Sequence, residues 1–189
     1  NYTLLTLEMK GGYAVEFRLY DDGVAFRMKT SLPGEIEVMQ ENTVFQLADD
    51  CDLVLQQPDG FKTSCEEHYS FVKSNEWKKD DKMTEVPVLI MGKNQKILLS
   101  EFDLVSYPGL FLKGNADNSL AATQPKVPLV FEDESDRSQI IHKEADYIAK
   151  TNGTRTFPWR YMLITQEDGR LAVINDNIAV TDPAANGEV

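Results

Sequence analysis

YAVEFRLYDDGVAFRM, residues 13–28, holds two alternating runs around an Asp-Asp-Gly turn. Tyr13–Tyr20 and Val24–Met28 alternate apolar and polar residues with a period of two, the period of a half-buried strand. Asp-Gly between such runs is the strongest short hairpin signal, because glycine takes the positive φ that tight hairpin turns need. The second strand also carries Arg27. With Val24, Phe26 and Met28 facing one way, Arg27 shares the other face with Ala25. Two readings stay open for it: a solvent-facing arginine whose stem covers apolar surface, or a fixed arginine that holds a carboxylate.

The same period recurs along the rest of the chain. Tyr2–Met9 precedes the hairpin as a strand, and Ser31-Leu32-Pro33-Gly34 follows it as a turn. Glu35–Met39, Asn42–Leu47, Asp52–Leu55 and Glu67–Val72 are further short strands. Residues 73–85 are charged and unpatterned, which predicts a loop. A second hairpin, 86–91 with 96–101, is almost continuously apolar, so both its faces are expected to be buried. Leu110–Lys113 and Pro128–Phe131 are short strands. In residues 138–150 the apolar spacing predicts a helix of about three turns. Tyr161–Thr165 and Leu171–Ile174 form a third hairpin, and the pattern fades after Val180. Many short strands, close turn signals and at most one short helix predict an all-β sandwich.

The chain has 189 residues, 42 % of them hydrophobic and 26 % charged, enough for one domain with a sizeable core. Its net charge is −12. That argues against the basic face that nucleic acid demands and against docking on an anionic membrane by charge. No apolar run approaches the ~20 residues that span a bilayer. Cys51 and Cys65 have no CxxC spacing and no histidine cluster beside them, which leaves two thiols or one disulfide. His68 and His142 do not stand at metal-ligand spacing.

The sequence has no GxSxG, no HExxH and no glycine-rich phosphate loop. No catalytic residue is therefore assigned. Pro158-Trp159-Arg160 admits two readings: Trp159 in the core with Arg160 paired to an acid, or a Trp–Arg pair lining a sugar site. Glu101 closes an apolar strand. An ionised carboxylate there is costly unless solvated, paired or bound to a hard cation such as calcium.

FRLYDDGVAFRM, SEFDLVSYPGLFL and FPWRYMLI, in that order, resemble the amino-terminal domain of glycoside hydrolase family 97, which includes bacterial α-glucosidases and α-galactosidases. The resemblance implies a β-supersandwich related to galactose mutarotase, packed on a (β/α)8 barrel that holds the catalytic carboxylates. It implies that residues 1–180 are part of that first domain, that further strands precede Asn1, and that 181–189 are a linker toward the barrel. Inverting members of the family hold calcium near the substrate, and Glu101 matches the ligand that the first domain supplies. The chain departs from the family at Phe102, where a small residue is common. The resemblance further implies an α-linked oligosaccharide as the partner of the whole protein, and a periplasmic or secreted location.

Two other functions fit the residues less well. One is a stand-alone carbohydrate-binding sandwich, with Trp77, Trp159 or tyrosines stacking on sugar rings. The other is a mutarotase-like epimerase using His68 or His142. Open sheet edges also predict that the chain associates with itself.

Overall fold

The computed structural model describes residues 2–135 and 138–171. Its strands are β1 (Thr3–Met9), β2 (Tyr13–Tyr20), β3 (Gly23–Val38), β4 (Val44–Gln46), β5 (Asp52–Gln56), β6 (Tyr69–Lys73), β7 (Thr84–Glu85), β8 (Val88–Met91), β9 (Lys96–Phe102), β10 (Phe111–Asn115), β11 (Ser119–Thr123), β12 (Pro128–Asp133), β13 (Gln139–Glu144), β14 (Ala149–Thr156) and β15 (Trp159–Thr165). A single turn of helix, α1 (Asp168–Leu171), follows. No helix among these residues is long and apolar enough to cross a membrane.

The strands make an all-β sandwich. A nine-stranded antiparallel sheet runs β1-β2-β3-β15-β9-β8-β5-β6, with β14 also paired to β3. A four-stranded sheet, β4-β11-β10-β7, covers part of it. Between them lies the main core. Leu53, Leu55, Val88, Ile90 and Leu99 from the large sheet meet Phe45, Leu112 and Leu120 from the small one and Leu110 just ahead of it. The opposite face of the large sheet carries a second cluster of Ala25, Trp159, Tyr161 and Leu163.

Both hairpins of the first hundred residues form, with Phe17 opposite Phe26 and Ile90 opposite Ile97, but the second is buried on one face and only half-buried on the other, not buried on both as its continuous apolar run predicts. The glycine of the first turn, however, is there for another reason. Gly23 does not have a left-handed φ; a Cβ on it would lie 2.5 Å from the Met162 carbonyl oxygen of β15. Close approach of a neighbouring strand requires this glycine.

Three local expectations are corrected, the turn 31–34, the helix 138–150 and the strand start at Leu171, while residues 74–83 carry no strand, as the loop reading expects. Ser31-Leu32-Pro33-Gly34 is not a chain reversal but the middle of the long β3, because β14 pairs along both halves of that strand. A register shift between Asn152 and Thr154 absorbs the irregularity. Gly153 brings its backbone so close that a Cβ would lie 2.6 Å from the Leu32 carbonyl. Residues 138–150 are not helical. Ile140 and Ile141 sit on β13, opposite Glu132 and Phe131 of β12. Ala145 and Ile148 are tied instead to the carbonyls of Val127 and Val38. Adjacent β-branched residues suit opposite faces of a strand, and the pairing with β12 decides the matter. Residues 73–85 contain a buried anchor, Trp77, whose Nε1 donates to the Lys82 carbonyl at 3.0 Å. The predicted strand 171–174 is also altered. Leu171 belongs to α1, and residues 172–174 lie outside the described residues, as does the predicted linker 181–189.

Candidate functional site

Pro158 leads into β15, and strand alternation then sends Trp159 and Arg160 to opposite faces of the large sheet. Arg160 points between the sheets. Register places it across from Phe26 of β3 on one side and Glu101 of β9 on the other. Its side chain is only 3 % exposed. Nε and Nη2 donate to Glu41 at 3.0 and 2.6 Å, and Nη1 donates to Glu101 Oε2 at 2.5 Å. Glu101 Oε1 accepts the Leu110 backbone N–H at 2.8 Å. Glu41 also accepts from Gln124 Nε2 at 3.2 Å and from the Thr43 hydroxyl at 2.9 Å.

One guanidinium thus serves two carboxylates, and the cluster carries a net negative charge when both are ionised. Burial alone would lower the pKa of Arg160, but the hydrogen bond and charge of Glu41, with the charge of Glu101, push it above the usual arginine value. Tyr107 lies beside Glu41, and burial together with that carboxylate pushes its hydroxyl far above the ordinary tyrosine range. A cavity of about 720 Å³ opens next to the cluster, walled by Phe26, Met28, Ile36, Tyr107 and Phe157.

On the other face, Trp159 is fully buried. The guanidinium of Arg18 lies 4.5 Å from its ring centroid and that of Arg27 lies 4.3 Å away. Both are within cation–π range. Arg27 holds a carboxylate. Its Nε donates to Glu16 Oε2 at 2.7 Å, directly across the β2–β3 pair, and Nη1 is 3.5 Å from Asp103 Oδ2. Burial would raise the carboxyl pKa of Glu16, but the hydrogen bond and charge of Arg27, aided by Lys29, hold it below the ordinary value.

Of the residues singled out in the sequence, Glu101 and Arg160 meet directly, while Arg27 and Trp159 meet on the opposite face. Neither tryptophan offers a stacking platform: Trp77 is 2 % exposed and Trp159 is not exposed at all. His142 pairs with Glu132 at 3.2 Å on the β12–β13 hairpin. Cys51 and Cys65 are not bonded to each other. Glu41, Tyr107 and Gln124 escaped the sequence, since a lone Glu in the loop after β3 carries no local signal of its distant partner.

For calcium, Glu101 offers carboxylate oxygens. Each carboxylate oxygen accepts from two directions, so Glu101 keeps capacity beyond Arg160 and the Leu110 N–H. Calcium takes six to eight oxygens, and no group of three or more His, Cys, Asp or Glu side chains able to hold a metal stands among the described residues. Glu101 therefore fits as one ligand of a site completed from elsewhere, and these residues do not build a site alone.

The profile described as Glycosyl-hydrolase 97 N-terminal matches residues 1–180. The chain belongs to this glycosyl-hydrolase 97 N-terminal family. A curated relative, a retaining alpha-galactosidase of Bacteroides thetaiotaomicron, is 31 % identical over 93 % of the chain. The chain spans only 28 % of that relative's length. Among solved structures, a glycoside hydrolase family 97 enzyme in complex with acarbose, from a Pseudoalteromonas strain, superposes with a TM-score of 0.61 at 18 % identity. The match covers 88 % of this chain and 27 % of that one. A beta-arabinopyranosidase superposes with a TM-score of 0.60 at 20 % identity, covering 86 % of this chain and 27 % of that one. At these identities the structural matches speak for the fold. The chain is thus the amino-terminal β domain characteristic of family 97 glycoside hydrolases.

Proposed function

We propose that this domain serves a glycosidase acting on α-linked glucosides or galactosides. It supplies no acid, base or nucleophile itself. It packs on a catalytic barrel and lends Glu101 to a calcium ion whose remaining ligands lie outside this chain. The observation that carries the reading is the Arg160–Glu101 pair. A buried guanidinium and a backbone N–H aim one carboxylate at the end of β9 and leave part of its acceptor capacity unused. Bound there, calcium would supply positive charge close to the reacting glycosidic bond. What falls to Arg160 is to fix the orientation of Glu101 and to offset its charge before the ion arrives, while Glu41 holds the guanidinium in place.

The test is Glu101→Gln in the intact protein. The substitution keeps size and one acceptor but removes the charge. Calcium affinity, measured by calorimetry after chelation, should fall by about tenfold or more, since the number of charged ligands tunes calcium affinity. Hydrolysis of aryl α-galactosides and α-glucosides should fall with it. Unchanged affinity together with unchanged hydrolysis would overturn the assignment. A stand-alone sugar-binding role loses both tryptophans, which are in the core, and keeps only exposed tyrosines such as Tyr13 and Tyr69 as stacking surfaces.

A further inference from the structure

We propose that Arg155 of β14 is a positioning residue for Glu101, acting by clamping the loop that joins β9 to β10. This role rests on the calcium reading of Glu101 and adds which residue shapes the site. The loop, residues 103–110, leaves β9 just after Glu101 and Phe102 and ends at Leu110, whose N–H donates to Glu101 itself. A Cβ on Gly109 would lie 3.4 Å from Glu101 Oε1, so the returning backbone passes directly against the carboxylate. Core packing fixes the side chain of Leu110, which is 1 % exposed. The N–H, however, lies in the plane of the 109–110 peptide, and the loop sets that plane.

The loop has a shape that its residues do not favour unaided. Asp103 and Ser106 have φ of 58° and 48°. Left-handed backbone in residues with a Cβ costs free energy and persists only where the surroundings enforce it. The enforcement comes from β14, fifty residues further along. Arg155 Nη2 donates to the Val105 carbonyl at 2.8 Å, and Nη1 donates to the Ser106 carbonyl at 3.3 Å. Bonds from Nε to the Thr156 carbonyl at 2.9 Å and from Nη1 to the Thr151 hydroxyl at 2.5 Å hold the guanidinium on its own strand. A planar fork can grip two successive carbonyls in this way, and a lysine ammonium cannot. Burial pulls the pKa of Arg155 below the usual arginine value. The guanidinium has thus given up water for neutral carbonyls, an arrangement that selects a loop shape. Its carbon also lies 4.9 Å from the Phe157 ring centroid and 5.9 Å from that of Tyr107, and the two rings meet edge to face at 5.3 Å. The Tyr107 hydroxyl is 3.5 Å from Glu41, which holds Arg160. Both groups that orient Glu101, the Leu110 N–H and the Arg160 guanidinium, are therefore tied to Arg155 through this loop.

Calorimetric titration of calcium into the chelator-stripped intact protein tests this, because it reads affinity and the number of sites per chain separately. Arg155→Met should bind calcium about tenfold more weakly, the lower end of what losing a group that orients a metal ligand costs, with the number of sites unchanged. Arg155→Lys keeps the charge but reaches one carbonyl, so it should recover only part of the loss and bind about threefold more weakly than the parent. It carries the test if Arg155→Met does not fold. Amide exchange of the ion-free protein, read on a peptide spanning 103–110, should be about tenfold faster in Arg155→Met, with β10 and β11 unaltered. Fewer sites at parental affinity would mean that Arg155 serves folding alone and would overturn the proposal. So would unchanged affinity, full recovery by Arg155→Lys, or unaltered exchange in the loop. Weak binding by Glu101→Gln beside parental binding by Arg155→Met removes the clamp and leaves the calcium role. Parental binding by Glu101→Gln removes both.

Discussion

Replacing Arg160 with Met would test the physical heart of the site. The guanidinium is 3 % exposed, while the side chains of Glu41 and Glu101 are 16 % and 12 % exposed. Methionine keeps much of the volume but removes three hydrogen bonds, two to Glu41 and one to Glu101. Two carboxylates are then left close together without a counter-charge. Breaking a buried pair by deleting one partner costs about 3–5 kcal/mol. For a domain of this size each kcal/mol moves Tm by about 2–4 °C, so the expected loss is about 6–20 °C. The assay is scanning calorimetry of the intact protein, following the transition of the β domain. A second variant separates charge from shape: Arg160→Met with Glu41→Leu and Glu101→Leu removes all three charges. Buried ion clusters replaced by apolar groups are often as stable or more so, so the triple variant should recover most of the loss. A single variant within about 2 °C of the parent, or a triple variant as unstable as the single, would refute the reasoning.

Other outcomes follow from the same geometry. Glu16 has a depressed carboxyl pKa in the folded state, so its stabilising contribution is present above its ordinary value of 4.5 and is lost as pH falls through the folded value. Arg27→Met should therefore cost about 2 kcal/mol in urea unfolding at pH 7 and progressively less below pH 4.5; a cost independent of pH would contradict the pairing. Gly23→Ala should cost about 1–3 kcal/mol, because the added methyl meets the Met162 carbonyl where β15 runs beside β3. An unaltered Tm for that variant would show that the two strands separate more easily than the register implies.

The layout of the sheets was largely legible because period-two alternation is local. The hairpins 13–28 and 86–101 could be read from residue order alone, since each strand's partner follows within a few residues. What was not legible depended on partners far away in sequence. Pro33-Gly34 looked like a turn until β14, more than a hundred residues later, paired across it. Residues 138–150 matched a helical spacing by coincidence, and only β12 reveals them as a strand. Ser119–Thr123 is too short and too weakly patterned to announce β11, and Trp77 anchors a loop whose neighbours are nearly all polar. At the site, Glu101 and Arg160 stood out because each was a charged residue beside an apolar strand. Glu41 did not, because the chain passes it in a loop 119 residues before the arginine it satisfies.

Stability alone does not explain that cluster. Its three charges could be exchanged for apolar side chains without net loss, since desolvation offsets most of what the pairs gain. The opposite face of β15 shows a different solution: Trp159 fills its layer with apolar area, and the guanidiniums of Arg18 and Arg27 stack on its ring. One strand therefore carries two adjacent residues under different constraints. Trp159 is a packing residue, and substitution by another large apolar group should be tolerated to the extent that volume is kept. Arg160 is desolvated in order to hold a carboxylate oriented and partly unsatisfied at the edge of the sandwich. On the proposed function, that cost is offset outside the domain's own folding, by the ion that Glu101 would bind. The triple apolar variant makes the distinction measurable: a protein that melts like the parent but no longer binds calcium or hydrolyses its substrate would assign the cluster to function.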